Sequence, residues 1–308
     1  MLKFIVNKLV QGLAVLLIVS ALTFCLLAAA GGDALTALRE NPQVSAATLE
    51  NLRRVYGLDQ PLPARYAQWL SGAARGRLGE SFHFHAPVTQ VLVPRLGKTV
   101  LLAGLALSLA ALSALTLGVA AALRPRAWLD NLCQAIILLA SSTPRLVLAL
   151  LVLAWATRWG LFTVGGETNG WGALRQVFWP ALVLAVPLAA VFLAQVREGL
   201  TKAAREDFVR VARAKGLSEH TIILRHSLRA ALNPLITIFG YSLGNLLSGS
   251  VIVESVLGWP GLGSLSVEAV RSRDAPLLLG LVLVTAALVL AGNLLADILL
   301  RCNDPRLR

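Results

Sequence analysis

TVLLAGLALSLAALSALTLGVAAAL, residues 99–123, carries no charged side chain from end to end. A bilayer core of ~30 Å takes about 20 apolar residues of helix, because lipid offers backbone N–H and C=O groups no partner. This stretch is long enough to cross. Residues 9–32, 176–196, 230–253 and 275–296 are likewise free of charge. A sixth candidate, residues 131–157, has the length but is interrupted by Arg145. The expectation is an all-α polytopic membrane protein with six transmembrane helices.

Composition agrees with that reading. Hydrophobic residues make up 56% of the 308 and charged residues only 14%, whereas soluble domains have ~45–50% and ~25%. Too few polar residues remain to cover a water-soluble globule of this size, and a disordered chain or coiled coil is excluded on the same ground. The first apolar run follows a basic segment, and Ala28-Ala29-Ala30 resembles a signal-peptidase site. Signal cores run ~7–15 residues and this run is longer, so a retained helix is expected. Cys25, Cys133 and Cys302 are too widely spaced for a disulfide framework or a zinc site.

Orientation follows from Lys and Arg in the short loops. Segments 1–8, 124–130, 197–229 and 301–308 together hold fifteen, against four in the opposite short loops. Both termini are therefore expected in the cytoplasm. The net charge of +12 is then a topology signal, and no nucleic-acid partner is implied. The chain divides into residues 1–32 (amino terminus and first span), an extracytoplasmic domain 33–98, and a five-helix core 99–308.

Within 33–98, residues 47–56 have an amphipathic pattern, and residues 65–73 form a second candidate helix carrying Tyr66 and Trp69 at the membrane interface. His83-Phe84-His85 sets two imidazoles at strand alternation. With no carboxylate or thiol nearby in sequence, a polar edge is the better reading and a metal site the weaker one. Gly97-Lys98-Thr99 matches the end of a phosphate-binding loop, but Leu92 stands where its first glycine belongs.

Residues 197–233 form the informative loop. Leu200, Ala204, Phe208, Val211 and Ala212 fall on one helical stripe, opposite Lys202, Glu206, Arg210 and Arg213. Gly216 is placed to end that helix in a left-handed cap, with Lys215 near its negative end. Ser218 can cap a second helix running to Arg229, and Asn233-Pro234 marks the return to the membrane. By charge pattern alone, the loop could equally rest on lipid headgroups. In the fifth span Gly240, Gly244 and Ser248 recur every four residues, which suits close helix packing within the chain or, less favoured, between subunits.

The stretch Asp207-Phe208-Val209-Arg210-Val211-Ala212-Arg213-Ala214-Lys215-Gly216-Leu217-Ser218 resembles the EAA-type loop of ABC importer permeases, in the version of the dipeptide/oligopeptide/nickel branch. The flanks extend the resemblance over nearly the whole chain: Tyr56-Gly57-Leu58-Asp59-Gln60-Pro61-Leu62, Gly76-Arg77-Leu78-Gly79, His226 through Pro234, Gly249-Ser250-Val251, Gly258-Trp259-Pro260-Gly261-Leu262-Gly263 and Asp304-Pro305-Arg306-Leu307-Arg308. Arg210 and Val211 stand where general importers have Glu and Ala, which is usual for the peptide branch. The resemblance implies a type I importer permease of the bacterial inner membrane. Its partners would be a second homologous permease, two cytosolic ABC ATPases that bind ATP and Mg, and an extracytoplasmic solute-binding protein. It also implies that Asp207, Arg210, Ala212, Arg213, Ala214, Lys215, Gly216, Leu217 and Ser218, within a 207–222 loop, couple to the ATPase. No cofactor is expected on this chain, and no catalytic constellation is visible. Look-alike permeases carry peptides, glutathione, opines or nickel chelates.

The competing class is a self-sufficient secondary transporter or channel. Such carriers bear carboxylates inside spans, whereas Asp297 and Glu254 lie near opposite ends of theirs. A membrane-embedded enzyme is the third class, and it would need a nucleophile or metal cluster.

Arg145 follows Ser141-Ser142-Thr143-Pro144 midway along the third span, where arginine costs ~2.5–3.5 kcal/mol on insertion scales. Look-alikes have an apolar or aromatic residue there. Pro144 would free the carbonyl of Ala140, which suits a helix lining a wet cavity. Three readings stand: a structural partner such as a carboxylate on the paired permease, a cavity position with Ser141 and Ser142 facing a substrate's negative charge, or an arginine snorkelling from a misplaced span.

Overall fold

The computed structural model describes residues 2–29, 45, 50, 59–124, 126–166 and 170–303. Most of the expected helix over 47–56, Tyr56-Gly57-Leu58 of the Tyr56–Leu62 motif and residues 304–308 lie outside the described residues. The elements in chain order are α1 (Leu2–Ala29), α2 (Leu62–Ala73), β1 (Glu80–Ser81), β2 (Ala86–Pro87), α3 (Val88–Leu123), α4 (Ala127–Ser142), α5 (Arg145–Arg158), α6 (Gly170–Ala203), α7 (Asp207–Ala214), α8 (Glu219–Thr221), a π-helical turn Ile222–Ser227, α9 (Leu228–Leu257), α10 (Leu262–Arg271) and α11 (Ala275–Asn303).

Among the described residues five helical stretches are long and apolar enough to cross a membrane: Lys3–Ala29, Val88–Leu123, Gln176–Ala203, Glu219–Leu247 and Ala275–Asn303. Two further apolar pairs are bent, α4 with α5 by 100° and the end of α9 with α10 by 84°. The first bent pair corrects the expectation of one continuous third span over 131–157. Thr143 adopts φ −85°, ψ 120° and Pro144 φ −60°, ψ 138°, so the helix stops instead of kinking. A residue before proline is pushed out of the α region, and here that preference wins. Pro144 is the N-cap of α5.

A second correction concerns the helix expected to end at Arg229, which runs on to Leu257 with Pro234 inside α9. The helix begun at Ser218 enters α9 through the π-helical turn, where Leu228 N–H bonds Ile223 C=O five residues back.

Contacts divide the chain into two units. In the unit formed by Thr99–Gly263 and Ala291–Arg308, every fourth residue of α3 is buried: Leu102, Ala106, Ala110 and Ala114. They share a core with Ala149 and Ala156 of α5 and Phe192, Leu193 and Val196 of α6. Small side chains on these faces let the backbones approach closely. Gly240 faces Ala296 and Asn293 of α11 within this unit, which is the intramolecular use expected of it; the Ser248 side chain lies outside the described residues.

In the unit formed by Leu2–Lys98 and Ser264–Leu290, Tyr66 of α2 stacks on Trp69 at 6.2 Å and bonds α1 through Ser20 Oγ (2.9 Å) and Leu17 C=O (3.2 Å). β1 and β2 form an antiparallel hairpin pairing Ser81 with Ala86. Asp274, fully buried ahead of α11, accepts bonds from Ser81 Oγ at 2.5 Å, His83 N–H at 3.1 Å and Leu277 N–H at 3.1 Å.

Candidate functional site

The segment around Gly216 is built from local rules. Asp207 opens α7, where a carboxylate suits the positive helix end. At the other end, Gly216 has φ +77°, its N–H bonds Arg213 C=O at 2.9 Å, and Leu217 N–H bonds Ala212 C=O at 3.3 Å. That double closure is a Schellman cap, and its left-handed residue favours glycine. Ser218 Oγ then accepts from Thr221 N–H, capping the next helix as the sequence implied. Arg213 grips Glu219 across the turn, Nε to Oε1 at 2.7 Å and Nη2 to Oε2 at 3.3 Å. That hydrogen bonding holds the Glu219 carboxyl below its ordinary pKa and the Arg213 guanidinium above its own.

The expected apolar stripe is corrected here. Helix α6 ends at Ala203, residues 204–206 turn, and α7 restarts with a new phase. Leu200 therefore belongs to α6, where it is buried. On α7 the inward residues are Val209 and Ala212, packed with Ile222. Phe208 (43% exposed), Val211 (53%) and Leu217 (40%) face outward instead. Of the residues assigned to coupling, Ala212 lies beneath the surface, whereas Asp207, Arg210, Arg213, Ala214, Lys215, Gly216, Leu217 and Ser218 are exposed. Asp207 and Arg210 form a surface ion pair at 3.3 Å. The result is a short capped helix showing a small apolar patch within a basic surround. A cavity of about 590 Å³ lies behind it, lined among others by Asp130, Arg197, Arg205, Glu219 and Ser227, with Arg197 Nη2 on Asp130 Oδ1 at 2.6 Å.

The second group surrounds the break before α5. Arg145 folds onto α9, where Nη2 donates to Asn245 Oδ1 at 2.9 Å and Nη1 to Asn245 C=O at 3.4 Å. Within this chain the partner of Arg145 is therefore a neutral amide. Its guanidinium occupies the place a Gly249 side chain would take. Ser141 and Ser142 end α4 and are exposed.

Sequence reasoning missed a third group. Glu254 on α9 is completely buried and accepts from Thr99 Oγ1 at 3.3 Å. The same hydroxyl accepts from Leu262 N–H, the first residue of α10, at 2.7 Å. The carboxyl group fills recesses left by Gly261 and Gly263, where a Cβ would overlap it. A charged residue before a Gly-Trp-Pro-Gly turn is the local signal for it.

The two histidines do not lie on one strand face, which corrects that expectation. Residues 82–85 form the hairpin turn, with His85 at φ +50°. A carboxylate is close in space, with Glu268 Oε1 at 3.3 Å from His83 Nε2. Among the described residues no group of three or more His, Cys, Asp or Glu could hold a metal.

Comparison with known proteins follows the same outline. Residues 114–308 match the model of the binding-protein-dependent transport system inner membrane component, and residues 1–103 match that of its N-terminal region. A putative peptide permease protein of Brucella suis biovar 1 is 35% identical, with 100% of this chain and 99% of the relative covered. The oligopeptide transport system permease protein AppB of Bacillus subtilis is 33% identical over the same shares, and OppB of Mycobacterium bovis 32%. Among solved structures, the MetNI methionine ABC transporter in an inward-facing form is similar with a TM-score of 0.58. That match has 19% identity and covers 70% of this chain and 97% of that one, a likeness of fold.

Proposed function

Because the chain belongs to the binding-protein-dependent transport system inner membrane components, multi-pass permease subunits of bacterial ABC importers, we propose that it forms half of a path for peptides. Its relatives are named as peptide and oligopeptide permeases, which supports that substrate class over glutathione, opines or nickel chelates. In this reading the bent pair α4–α5 completes six spans, and both termini lie in the cytoplasm, as the Lys and Arg bias favours. A second homologous permease, two ATPases carrying ATP and Mg, and a solute-binding protein on the outer side complete the machine. The segment between α1 and α3 meets the binding protein. Family membership sets aside the self-driven carrier, which needs no such partners.

One observation carries the coupling role. A helix of eight residues and the capped turn that follows it expose Phe208, Val211 and Leu217 to solvent. Apolar side chains grouped this way on an otherwise basic loop fit a partner's groove better than lipid headgroups, because the turn is stiffened from within by Arg213 and Glu219. The ATPase docks there.

The test is Gly216→Val. A β-branched residue at positive φ costs at least about 1–2 kcal/mol locally, while insertion of the spans depends on lipid partition. The variant is expected at wild-type level in the membrane, with substrate-stimulated ATP hydrolysis of the assembled transporter strongly reduced. Stimulation equal to wild type would remove the docking role from this turn.

A further inference from the structure

We propose that Arg145, seated by Asn245 over Gly249, is a carboxylate-recognising position of the translocation path that favours substrates with a free carboxylate. The inference rests on the peptide-permease reading and adds the chemical group selected inside the membrane.

Three observations carry it. First, the charge is not compensated by its neighbours. Two guanidinium nitrogens donate to one residue, Asn245, whose side chain is neutral. Among the described residues Arg145 makes no ion pair. Arginine has five donor hydrogens in a fixed fork, so capacity remains for an incoming acceptor.

Second, the side chain does not behave as one merely tolerated in lipid. A snorkelling arginine extends toward headgroups, whereas this one turns inward onto the middle of α9. Gly249 supplies the room, since a methyl group there would overlap Nη1. A recess shaped for a guanidinium is a built feature of α9.

Third, the site stands at an open break. The chain between α4 and α5 turns through 100°, and the hydroxyls of Ser141 and Ser142 end the preceding helix at the surface. An arginine fork binds carboxylate through two parallel charge-assisted bonds, a match that a C-terminal amide or ester cannot reproduce. A purely structural clamp would be served equally well by a carboxylate at position 245, and the chain has an amide. That choice keeps the cation positioned and leaves its charge available.

The decisive variant is therefore Asn245→Asp, which places a carboxylate beside Nη2 without removing Arg145. The complete transporter, with both permeases, ATPases and binding protein, is reconstituted in proteoliposomes. It is offered a defined set of di- to hexapeptides, each as free acid and as C-terminal amide. Accumulated species are counted by mass spectrometry, alongside thermal stability and subunit composition. Because every variant meets the same binding protein, that protein's own preference cancels between them.

Asn245→Asp is expected to assemble with unchanged or higher thermal stability. Its import of free acids falls about tenfold, the size of one lost charge-assisted contact, and the acid-to-amide preference collapses toward one. Arg145→Leu loses the same preference. Wild-type import and preference in Asn245→Asp would overturn the proposal and leave Arg145 as a clamp. Release of the second permease from that variant would also overturn it, in favour of a subunit contact. If the wild-type transporter accumulates neither acids nor amides, the peptide reading itself fails, and the inference fails with it.

Discussion

Two apolar helices of this protein break within the Thr99–Gly263 unit, and they break differently. Between α4 and α5 the turn is Thr143-Pro144, where Thr143 Oγ1 donates to Leu139 C=O at 2.6 Å and α5 starts without a side-chain cap. The ionisable residue beside it, Arg145, is half-buried and bonded to an amide. Between α9 and α10 the ionisable residue is Glu254, with no exposed surface at all, and it works with Thr99, which has 1%. There the Thr99 hydroxyl satisfies one of the four N–H groups that α10 leaves orphaned. Each break has glycines cut to admit its charged group: Gly249 for the arginine, Gly261 and Gly263 for the glutamate. The acidic group is consumed in holding its bend. The basic one is positioned and left with capacity to bind. A buried ionisable residue in a membrane helix is thus a mark of function only when its own chain fails to use it up.

Substitutions can break or sharpen this contrast. The largest effect is expected from Gly261→Val, whose side chain would displace a buried carboxyl from its partners. Disrupting such a group costs about 3–5 kcal/mol, so the permease should be nearly absent from the membrane at growth temperature and should melt far earlier in detergent. A stable Gly261→Val would mean that Glu254 is not sealed in.

Gly249→Ala comes next. It pushes the guanidinium out of its recess, and peptide import should fall about tenfold with the loss of one charge-assisted contact, while thermal stability stays close to wild type. Equal collapse of stability in Gly249→Ala and Gly261→Val would erase the distinction between the two bends. The smallest effect belongs to Thr99→Val, which removes one hydroxyl near-isosterically. It should lower stability by about 1–2 kcal/mol and leave import per assembled complex unchanged; a transport defect without a stability defect would place Thr99 in the path.

The sequence announced some of these features and concealed others for physical reasons. Gly216 and Ser218 were legible because caps depend on one or two residues and their immediate backbone. The spans were legible because lipid imposes a compositional rule on each separately. The stripe from Leu200 to Ala212 misled because it was counted across residues 204–206, where the helix stops and its phase is reset. Prolines were equally ambiguous: Pro94, Pro180, Pro187 and Pro234 remain inside helices, whereas Pro144 stands between α4 and α5 as the N-cap of the second. Whether a proline bends or ends a helix depends on what neighbouring helices supply, and a single sequence does not contain that. The Glu254–Thr99–Leu262 group joins residues 155 and 163 positions apart, so no local pattern could reveal it.

The turn at Gly216 has a mechanical consequence. Val209 and Ala212 are packed on Ile222, and Arg213 is clamped to Glu219, so α7 and the root of α9 form a stiff crank. From Ser218 onward the backbone stays helical through the π turn to Leu257, without a joint. Asn245, Gly249 and Glu254 all stand on that one shaft, about 26 Å, 32 Å and 39 Å beyond Leu228 at 1.5 Å per residue. In the proposed docking, a push on the exposed patch beside α7 would be carried to Asn245, Gly249 and Glu254 along one continuous helix.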